Sequence, residues 1–151
     1  MFGECIGLLL KGWYAVSSQI LKKAGLKVTL PRLKVLEAME SMIGNHVSAE
    51  DVYKLLLETK TDIGLATIYR ILNQFEEVGL LTRHHFDGAV ARFELKSSSH
   101  HDHMICTDSG KIIEFIDPVI EARQKEIARE KGYELMGHSL ILRVKPAEKS
   151  A

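Results

Sequence analysis

The sequence has few cysteines, few prolines and no long apolar segment. Its two cysteines, Cys5 and Cys106, lie far apart among 151 residues. A distant pair in a chain without an export signal indicates free thiols rather than a disulfide. The apolar run from Ile6 to Leu10 is too short to span a membrane and has no small-residue cleavage site. We therefore expect a cytoplasmic protein that has no membrane partner.

The charges of the chain balance. Its 20 basic and 20 acidic residues give a net charge of zero when the histidines are neutral. This balance excludes a uniformly basic protein that coats nucleic acid, so any anionic partner must meet a local basic patch. The stretch from Gln19 to Val35 contains no Asp or Glu and carries Lys22, Lys23, Lys27, Arg32 and Lys34. The same run is equally consistent with a solvated helix face.

Start signals and apolar spacing predict three helices in the first half. Pro31 suits the first turn of a helix, with Thr29 just ahead of it as a cap. Ser48 with Asp51 three residues later resembles a capping box. Apolar residues at helical spacing place the helices from Pro31 to about Ile43, from Ser48 to beyond Leu56, and from about Ala66 to Val78, with Gly79 suited to the left-handed position that follows.

Two strand-like runs follow, Leu80 to Phe86 and Ala89 to Leu95, around the turn-forming pair Asp87-Gly88. Helix, turn, helix and hairpin is the order of a winged helix. In helix-turn-helix folds the second helix of the pair enters the major groove. Its exposed face here carries side chains able to contact phosphates and base edges, of which Tyr69 and Arg70 are favoured. The alternative is that these side chains are ordinary surface residues of a small helical domain.

A polar linker, Lys96 to Ser99, separates a second pattern from the first. Strands are predicted over His101 to Cys106 and Lys111 to Ile116, then a helix capped by Asp117 and closed by Gly132, and a last strand over Tyr133 to Val144. Both faces of the last strand carry large apolar residues, which so small a unit cannot cover by itself. We therefore expect a homodimer through this part of the chain.

Together these elements predict an α+β fold class with three parts. Residues 1–16 form an N-terminal extension that is predicted to be disordered, because it shows no helix cap or apolar period. Residues 17–96 form an N-terminal winged-helix DNA-binding domain. Residues 97–151 form a small α/β metal-binding dimerisation domain.

Four metal-capable side chains are adjacent at His100, His101, Asp102 and His103, just before a strand-like segment. In an extended chain alternate side chains point to opposite faces. His101 and His103 would then share one face, while His100 and Asp102 share the other, so one strand could contribute to two metal sites. Imidazole with carboxylate suits ferrous iron, manganese or zinc. A solvated polar strand end would show the same pattern.

With these features in place, the chain resembles the ferric uptake regulators, dimeric metal-dependent bacterial repressors, over about Gln19 to Val144. The matching segments are Lys23-Ala-Gly-Leu-Lys-Val-Thr-Leu-Pro-Arg32, His46-Val-Ser-Ala-Glu-Asp51, Gly64-Leu-Ala-Thr-Ile-Tyr-Arg-Ile-Leu-Asn-Gln-Phe75, His100-His-Asp-His103 and His138-Ser-Leu140. Several segments in the right order are more specific than a generic winged helix.

The resemblance implies two metal sites and a set of DNA contacts. The regulatory site is implied at His46, Glu94, His101, His103 and Glu114, and a second site at His100, Asp102, Glu121 and His138. For His138 a core histidine hydrogen-bonded to its neighbours is the alternative. The resemblance places Lys27 at the minor groove, Arg32 near the backbone, and Tyr69 with Arg70 in the major groove, and Thr67 lies on the same helix face.

One departure concerns zinc. Many members of the family bind a structural zinc through a Cys-x-x-Cys pair, but here Ser109, three residues after Cys106, stands where the second cysteine would be. A closed structural zinc site takes four protein ligands. We therefore expect no cysteine-ligated structural zinc and interpret Cys106 as a buried small residue.

The favoured function is a ferrous-iron-responsive repressor that controls iron homeostasis genes and binds an AT-rich palindromic operator in double-stranded DNA as a homodimer. Fe²⁺ is expected to act as corepressor, with Mn²⁺ or Zn²⁺ as substitutes. A paralogous manganese, zinc or peroxide sensor is the first alternative; glutamates at 94 and 114, where the peroxide sensors tend to use aspartate, favour iron. A metal-dependent hydrolase is the other alternative, but a catalytic metal needs an open position beside an acid or base, and five candidate ligands for one ion favour regulation, so no enzyme is expected.

Overall fold

The computed structural model describes residues 2–85, 90–96 and 100–147, of which residues 2–12 are described by their backbone alone. The chain divides into two units, Met1–Lys96 and Ser97–Ala151. Helices and small sheets occur in both units, which confirms the predicted α+β class. Among the described residues no helix is both long and apolar enough to cross a membrane.

In its described part the first unit has the element order of a winged helix. The elements are α1 (Phe2–Lys23), α2 (Leu30–Ser41), α3 (Ala49–Glu58), α4 (Leu65–Glu77), β1 (Leu81–His84) and β2 (Arg92–Leu95). The two strands pair antiparallel from Leu81 opposite Leu95 to His84 opposite Arg92. The predicted Asp87-Gly88 turn lies outside the described residues.

The core of the first unit is built from the apolar faces of its helices. Helix α4 buries Ile68, Ile71, Leu72 and Phe75, which recur at three- and four-residue spacing and so share one face. Phe93 of β2 is also fully buried against this core. The opposite face of α4 is therefore turned outward.

The predicted capping signals at Ser48 and Gly79 are confirmed, whereas Thr29 occupies the N-cap position of α2 without a side-chain capping hydrogen bond. Ser48 Oγ accepts a hydrogen bond from Asp51 N at 3.1 Å, and Asp51 Oδ2 accepts one from Ser48 N at 2.9 Å. This reciprocal capping box starts α3. Gly79 follows α4 with φ +75°, a conformation that glycine adopts without the strain of a Cβ.

The N-terminal segment differs from its prediction. Residues 1–16 were expected to be a disordered extension, whereas α1 covers Phe2–Lys23. Trp13, Ser17 and Leu21 recur every four residues, and both Ser17 and Leu21 are fully buried. Trp13 packs on the core and its indole Nε1–H donates to Glu40 Oε2 of α2 at 2.5 Å. Because the polar Ser17 occupies a buried position of α1, a search for apolar residues at helical spacing does not reveal this helix.

The described part of the second unit is a small sheet with one helix. Its elements are β3 (Asp102–Cys106), β4 (Ile112–Phe115), α5 (Pro118–Glu130) and β5 (Ile141–Val144), and the strand order is β4-β3-β5. β3 lies in the middle, antiparallel to β4 and parallel to β5. Asp117 Oδ1 accepts hydrogen bonds from Val119 N and Ile120 N, so the predicted cap of α5 is confirmed.

The last strand is shorter than predicted. The sequence pattern suggested a strand over Tyr133 to Val144, whereas β5 begins at Ile141. β3 is its partner, and their paired register starts where His103 faces Ile141. Apolar alternation predicts which side chains could face a core, but the length of a strand is set by the backbone partner available to it.

Candidate metal centres and nucleic-acid interface

Four side chains of the second unit converge at the edge between the sheet and α5. We call them the β3–α5 cluster: His100, Asp102, Glu121 and His138. Their potential ligand atoms all lie within 4.8 Å of one another. Asp102 Oδ1 is 3.3 Å from Nε2 of both His100 and His138, and Glu121 Oε1 is 3.4 and 3.3 Å from the same two nitrogens.

Local structure accounts for this convergence. His100 and Asp102 are two positions apart at the start of β3, so they project to the same face. Leu140 N donates to Asp102 Oδ1 at 3.3 Å, and Leu140 O accepts from His103 N at 3.1 Å, which fixes the segment carrying His138 beside β3. The Asp117 cap sets the start of α5 and thereby places Glu121 in its first turn.

The donor atoms of the β3–α5 cluster fit a divalent cation. Asp102 is 1% exposed, and its Oδ2 has no hydrogen-bond partner among the described residues. A buried carboxylate oxygen without a partner is costly unless a cation or donor compensates it. Metal–ligand distances of about 2.0–2.2 Å place neighbouring atoms of a tetrahedral shell roughly 3.3–3.6 Å apart. Four of the contacts in the cluster are 3.3–3.4 Å long.

The two histidines of the cluster support the same interpretation. His100 Nε2 and His138 Nε2 are 2.8 Å apart, and their rings meet edge to face with centroids 4.2 Å apart. Two neutral imidazoles can share only one hydrogen bond between these atoms, because each has one donor and one acceptor nitrogen. The core-histidine alternative for His138 would give its Nε2 a single partner, whereas here it faces a second imidazole and two carboxylates.

The opposite face of β3 carries a second set of donors, which we call the His101–His103 group. The two rings meet edge to face with centroids 5.0 Å apart. His101 Nε2 lies 3.7 Å from Glu114 Oε1, and Glu114 of β4 pairs in register with His103. His103 is 3% exposed. Strand alternation therefore divides the adjacent histidines between two faces, as the sequence pattern predicted.

The first unit contains its own group of donors, which we call the Glu94 cluster: His46, His84 and Glu94. Glu94 Oε2 is 3.1 Å from His46 Nε2, and Glu94 Oε1 is 2.8 Å from His84 Nε2. The side chains are largely buried, at 4% exposure for His46 and 13% for the other two. The carboxylate thus lies between two imidazoles whose centroids are 5.1 Å apart.

Backbone pairing explains how the Glu94 cluster forms. Val47 N donates to Phe93 O at 2.9 Å and Phe93 N donates to Val47 O at 2.7 Å, an isolated antiparallel bridge that sets His46 opposite Glu94. Thr82 pairs with Glu94 and His84 with Arg92, so His84 is the diagonal neighbour of Glu94 on the same face.

The two imidazoles of the Glu94 cluster favour the ionised form of the Glu94 carboxyl group. Burial by itself would raise the pKa of Glu94, but hydrogen bonding to His46 and His84 outweighs it and holds the pKa well below the ordinary value. Glu94 is therefore a carboxylate, which accepts hydrogen bonds and can bind a cation. His84 was missed in the sequence, because only the pairing register of β1 and β2 brings it to Glu94.

The five residues of the predicted regulatory site belong to two units. The Glu94 cluster contributes His46 and Glu94 from the first unit, and the His101–His103 group contributes His101, His103 and Glu114 from the second.

Cys106 ends β3 as a free and buried thiol, which confirms its interpretation as a small buried residue.

The candidate DNA-contacting residues lie on α4 and before or within α2. Arg70 is exposed, while Thr67 and Tyr69 are half-buried on α4. Tyr69 donates its hydroxyl hydrogen to Glu50 Oε1 at 2.7 Å, which lowers the pKa of Glu50 and raises that of Tyr69. A contact between Tyr69 and DNA would therefore have to use its ring or a change of partner for its hydroxyl.

Two of the residues predicted to contact DNA, Lys27 and Arg32, are joined by a hydrogen bond. The exposed Lys27 presents its carbonyl oxygen to Arg32 Nη1 at 2.6 Å, and Arg32 Nη2 donates to Gln74 Oε1 of α4 at 3.1 Å. The Arg32 guanidinium thus ties the segment before α2 to the exposed face of α4. A guanidinium held in this way keeps its charge close to the surface that would face a phosphate backbone.

Comparison with known proteins agrees with these observations. A model of the ferric uptake regulator family matches residues 23–143. The ferric uptake regulation protein of Pseudomonas aeruginosa is 58% identical over 130 residues, covering 86% of this chain and 97% of that protein.

Solved structures give the same result for the fold. The ferric uptake regulator of Pseudomonas aeruginosa with manganese has a TM-score of 0.79 at 56% identity and covers 88% of this chain and 99% of that one. The ferric uptake regulator of Francisella tularensis with iron has a TM-score of 0.76 at 41% identity and covers 81% and 92%. The chain therefore belongs to the ferric uptake regulator family.

Proposed function

We propose that the protein is a ferrous-iron-responsive transcriptional repressor that binds operator DNA in the cytoplasm, with the metal as corepressor. The observation that carries this proposal is the division of adjacent donors on β3 between two faces, each of which has carboxylate partners. The winged-helix unit and membership of the family supply the DNA-binding half of the proposal.

The regulatory site is proposed at His46, Glu94, His101, His103 and Glu114. Each unit by itself offers an incomplete set of two or three donors, and both sets contain only imidazole and carboxylate. An ion bound there supplies positive charge and a cross-link among ligands from both units. His46 and Glu94 would bind it from the winged-helix unit, so that occupancy restrains the orientation of that unit. Two recognition helices fit a palindromic operator only at a defined separation, and such restraint favours the DNA-competent form.

The second site is proposed at the β3–α5 cluster. The two imidazoles and two carboxylates match a four-ligand shell, and the buried Asp102 Oδ2 lacks another partner in the described part of the chain. All four ligands lie in the second unit, so this site would stabilise that unit rather than restrain the first.

Ferrous iron is proposed as the physiological metal, with manganese or zinc able to substitute. Imidazole and carboxylate donors suit all three ions, and ligand type alone ranks them poorly. Relatives were solved with manganese and with iron. The glutamates at 94 and 114 and the names of the most similar relatives support iron over the manganese, zinc and peroxide sensors of the family.

A homodimer through the second unit is also proposed. Among its described residues Cys106 is the only apolar side chain in the core, while large apolar side chains remain exposed at Ile113, Ile116, Val119 and Met136. A unit of this size needs a further apolar surface to reach ordinary stability. A second copy is the simplest partner, and it would present two winged helices to a palindromic site.

A regulatory role is proposed rather than an enzymatic one. A catalytic metal keeps an open position for water or substrate beside an acid or base. Five donors assigned to the regulatory ion favour a site filled by protein ligands over an open catalytic position. The hydrolase alternative therefore has no feature that favours it.

The proposal is tested by binding to a fluorescent AT-rich palindromic duplex under anaerobic conditions. Fluorescence anisotropy is measured during protein titration with Fe²⁺, Mn²⁺, Zn²⁺ or a chelator. We expect tight binding with Fe²⁺ or Mn²⁺ that is lost on adding the chelator, because the ion restrains the winged-helix unit. A scrambled duplex of equal length is the control for sequence preference. Binding that does not depend on metal would contradict the corepressor mechanism.

A separate prediction concerns the second site. Replacing His138 by Ala removes one of four donors, so we expect the number of tightly bound ions per chain to fall from two to one. Equilibrium dialysis against Mn²⁺ followed by elemental analysis gives this number. The variant His85→Ala is the matched control, since His85 is exposed and belongs to neither site. Two ions retained by the His138→Ala variant would remove this cluster from the proposal.

A further inference from the structure

His84 is a member of the Glu94 cluster but belongs to neither proposed ligand set. It is the last residue of β1, and its side chain is 13% exposed. Its Nε2 lies 2.8 Å from Glu94 Oε1. A carboxylate oxygen accepts hydrogen bonds, so the imidazole nitrogen is the donor when His84 bonds Glu94.

The two oxygens of Glu94 have different partners. Oε1 lies against His84, while Oε2 lies 3.1 Å from His46 Nε2. An ion that takes one donor atom from each proposed ligand of this unit would therefore use the pair His46 Nε2 and Glu94 Oε2. The hydrogen bond from His84 to Oε1 does not compete with that pair and can persist when the ion is bound.

A glutamate ligand benefits from such a partner because its side chain has three rotatable bonds. Binding an ion fixes those bonds, and a side chain that is already held loses less conformational freedom when it binds. Carboxylates that ligate metals are commonly hydrogen-bonded in turn, and loss of such a partner weakens metal affinity about 10- to 100-fold. His84 is placed on the same sheet face as Glu94 by strand pairing, so the contact is built into the fold.

We propose that His84 is a positioning residue of the regulatory site, holding Glu94 Oε1 so that Oε2 and His46 Nε2 are presented together to a divalent cation. This inference rests on the proposed function, since it requires Glu94 to bind the regulatory metal. It assigns His84 no bond to the metal and no contact with DNA.

The test measures Co²⁺ affinity of the full-length protein by chelator competition, followed through the visible absorption of the bound ion. His138→Ala serves as the background, so that the regulatory site dominates the signal. We expect His84→Ala to lower the affinity about 10- to 100-fold. We expect His84→Gln to remain within a few-fold of the background protein, because a glutamine amide nitrogen can donate from about the same place as Nε2.

Three further variants and measurements separate the possible outcomes. His85→Ala is the matched control, being the adjacent histidine with an exposed side chain. Glu94→Gln tests the ligand itself. Thermal unfolding of the metal-free proteins shows whether each variant folds, and if His84→Ala does not, His84→Leu replaces it as the variant that lacks the donor.

Each result bears on the inference. Weak binding by His84→Ala with rescue in His84→Gln supports a positioning role. Equal loss in both His84 variants and in Glu94→Gln would show direct ligation by His84 and overturn the positioning role. Normal binding by His84→Ala beside weak binding by Glu94→Gln would overturn the inference and leave the proposed function standing. Normal binding by all three variants would remove the regulatory site, and the inference with it.

Discussion

Replacement of His101 by alanine is expected to abolish metal-stimulated DNA binding. His101 is one of the proposed ligands, and its Nε2 lies 3.7 Å from Glu114 Oε1. Loss of a ligand should weaken metal binding by more than the roughly 10- to 100-fold that follows loss of a ligand's hydrogen-bond partner. Anisotropy titration with the operator duplex, with and without Mn²⁺, measures the loss of stimulation directly.

The controls for this variant separate loss of metal from loss of fold. The His101 side chain is 15% exposed, so its truncation should disturb packing less than truncation of the buried His103. Circular dichroism and size-exclusion chromatography should match those of the unaltered protein. His85→Ala should retain full stimulation, because that residue lies outside both sites. Stimulation that is unchanged in His101→Ala would remove this residue from the regulatory site.

Contacts within the first unit give a physical route from the proposed metal ligands to α4, which carries the candidate DNA-contacting residues. Arg92 Nη1 donates to the carbonyl of His46 at 3.3 Å and to Asp51 Oδ2 at 3.0 Å, which ties the ligand segment to the cap of α3. Glu50, in the first turn of α3, accepts the Tyr69 hydroxyl of α4. A restraint applied at His46 therefore reaches α4 through short polar contacts. These contacts provide a continuous path between the two sites, and the coupling energy along that path has to be measured separately.

The parts of the structure that depend on local sequence were predicted well. Strand alternation alone was enough to divide His100 and Asp102 from His101 and His103, because a period of two leaves no other arrangement in an extended segment. The capping box at Ser48 and the cap at Asp117 were also readable, since each acts within three residues of its own position.

The parts of the structure that depend on distant partners were not predicted from the sequence. His84 meets Glu94 only because β1 and β2 pair in one particular register, and nothing near His84 in the sequence specifies that register. The length of β5 likewise depends on where β3 offers its backbone. The helix α1 was missed for a different reason, because Ser17 occupies a buried position that an apolar period does not reveal.

The largest effect expected on the DNA side is that of Arg70→Ala. Arg70 is exposed on α4, whose opposite face is buried in the core. If it contacts a base edge, its loss should cost about 1–3 kcal/mol of operator binding, or roughly 5- to 150-fold, and should relax the preference for operator over scrambled DNA. Anisotropy titrations with both duplexes in the presence of Mn²⁺ measure the two effects together.

Lys27→Ala is the contrasting variant, because Lys27 is exposed beside the Arg32 contact and the family resemblance places it at the minor groove rather than the major groove. We expect it to weaken binding to both duplexes alike and to reduce the slope of log affinity against log salt by about 1. Lys131→Ala, an exposed lysine after α5, controls for the change in net charge. Since the chain carries no net charge, single cations of the basic patch should matter more than in a uniformly basic protein.

Equal losses on both duplexes for Arg70→Ala would assign Arg70 to the phosphates instead of the bases.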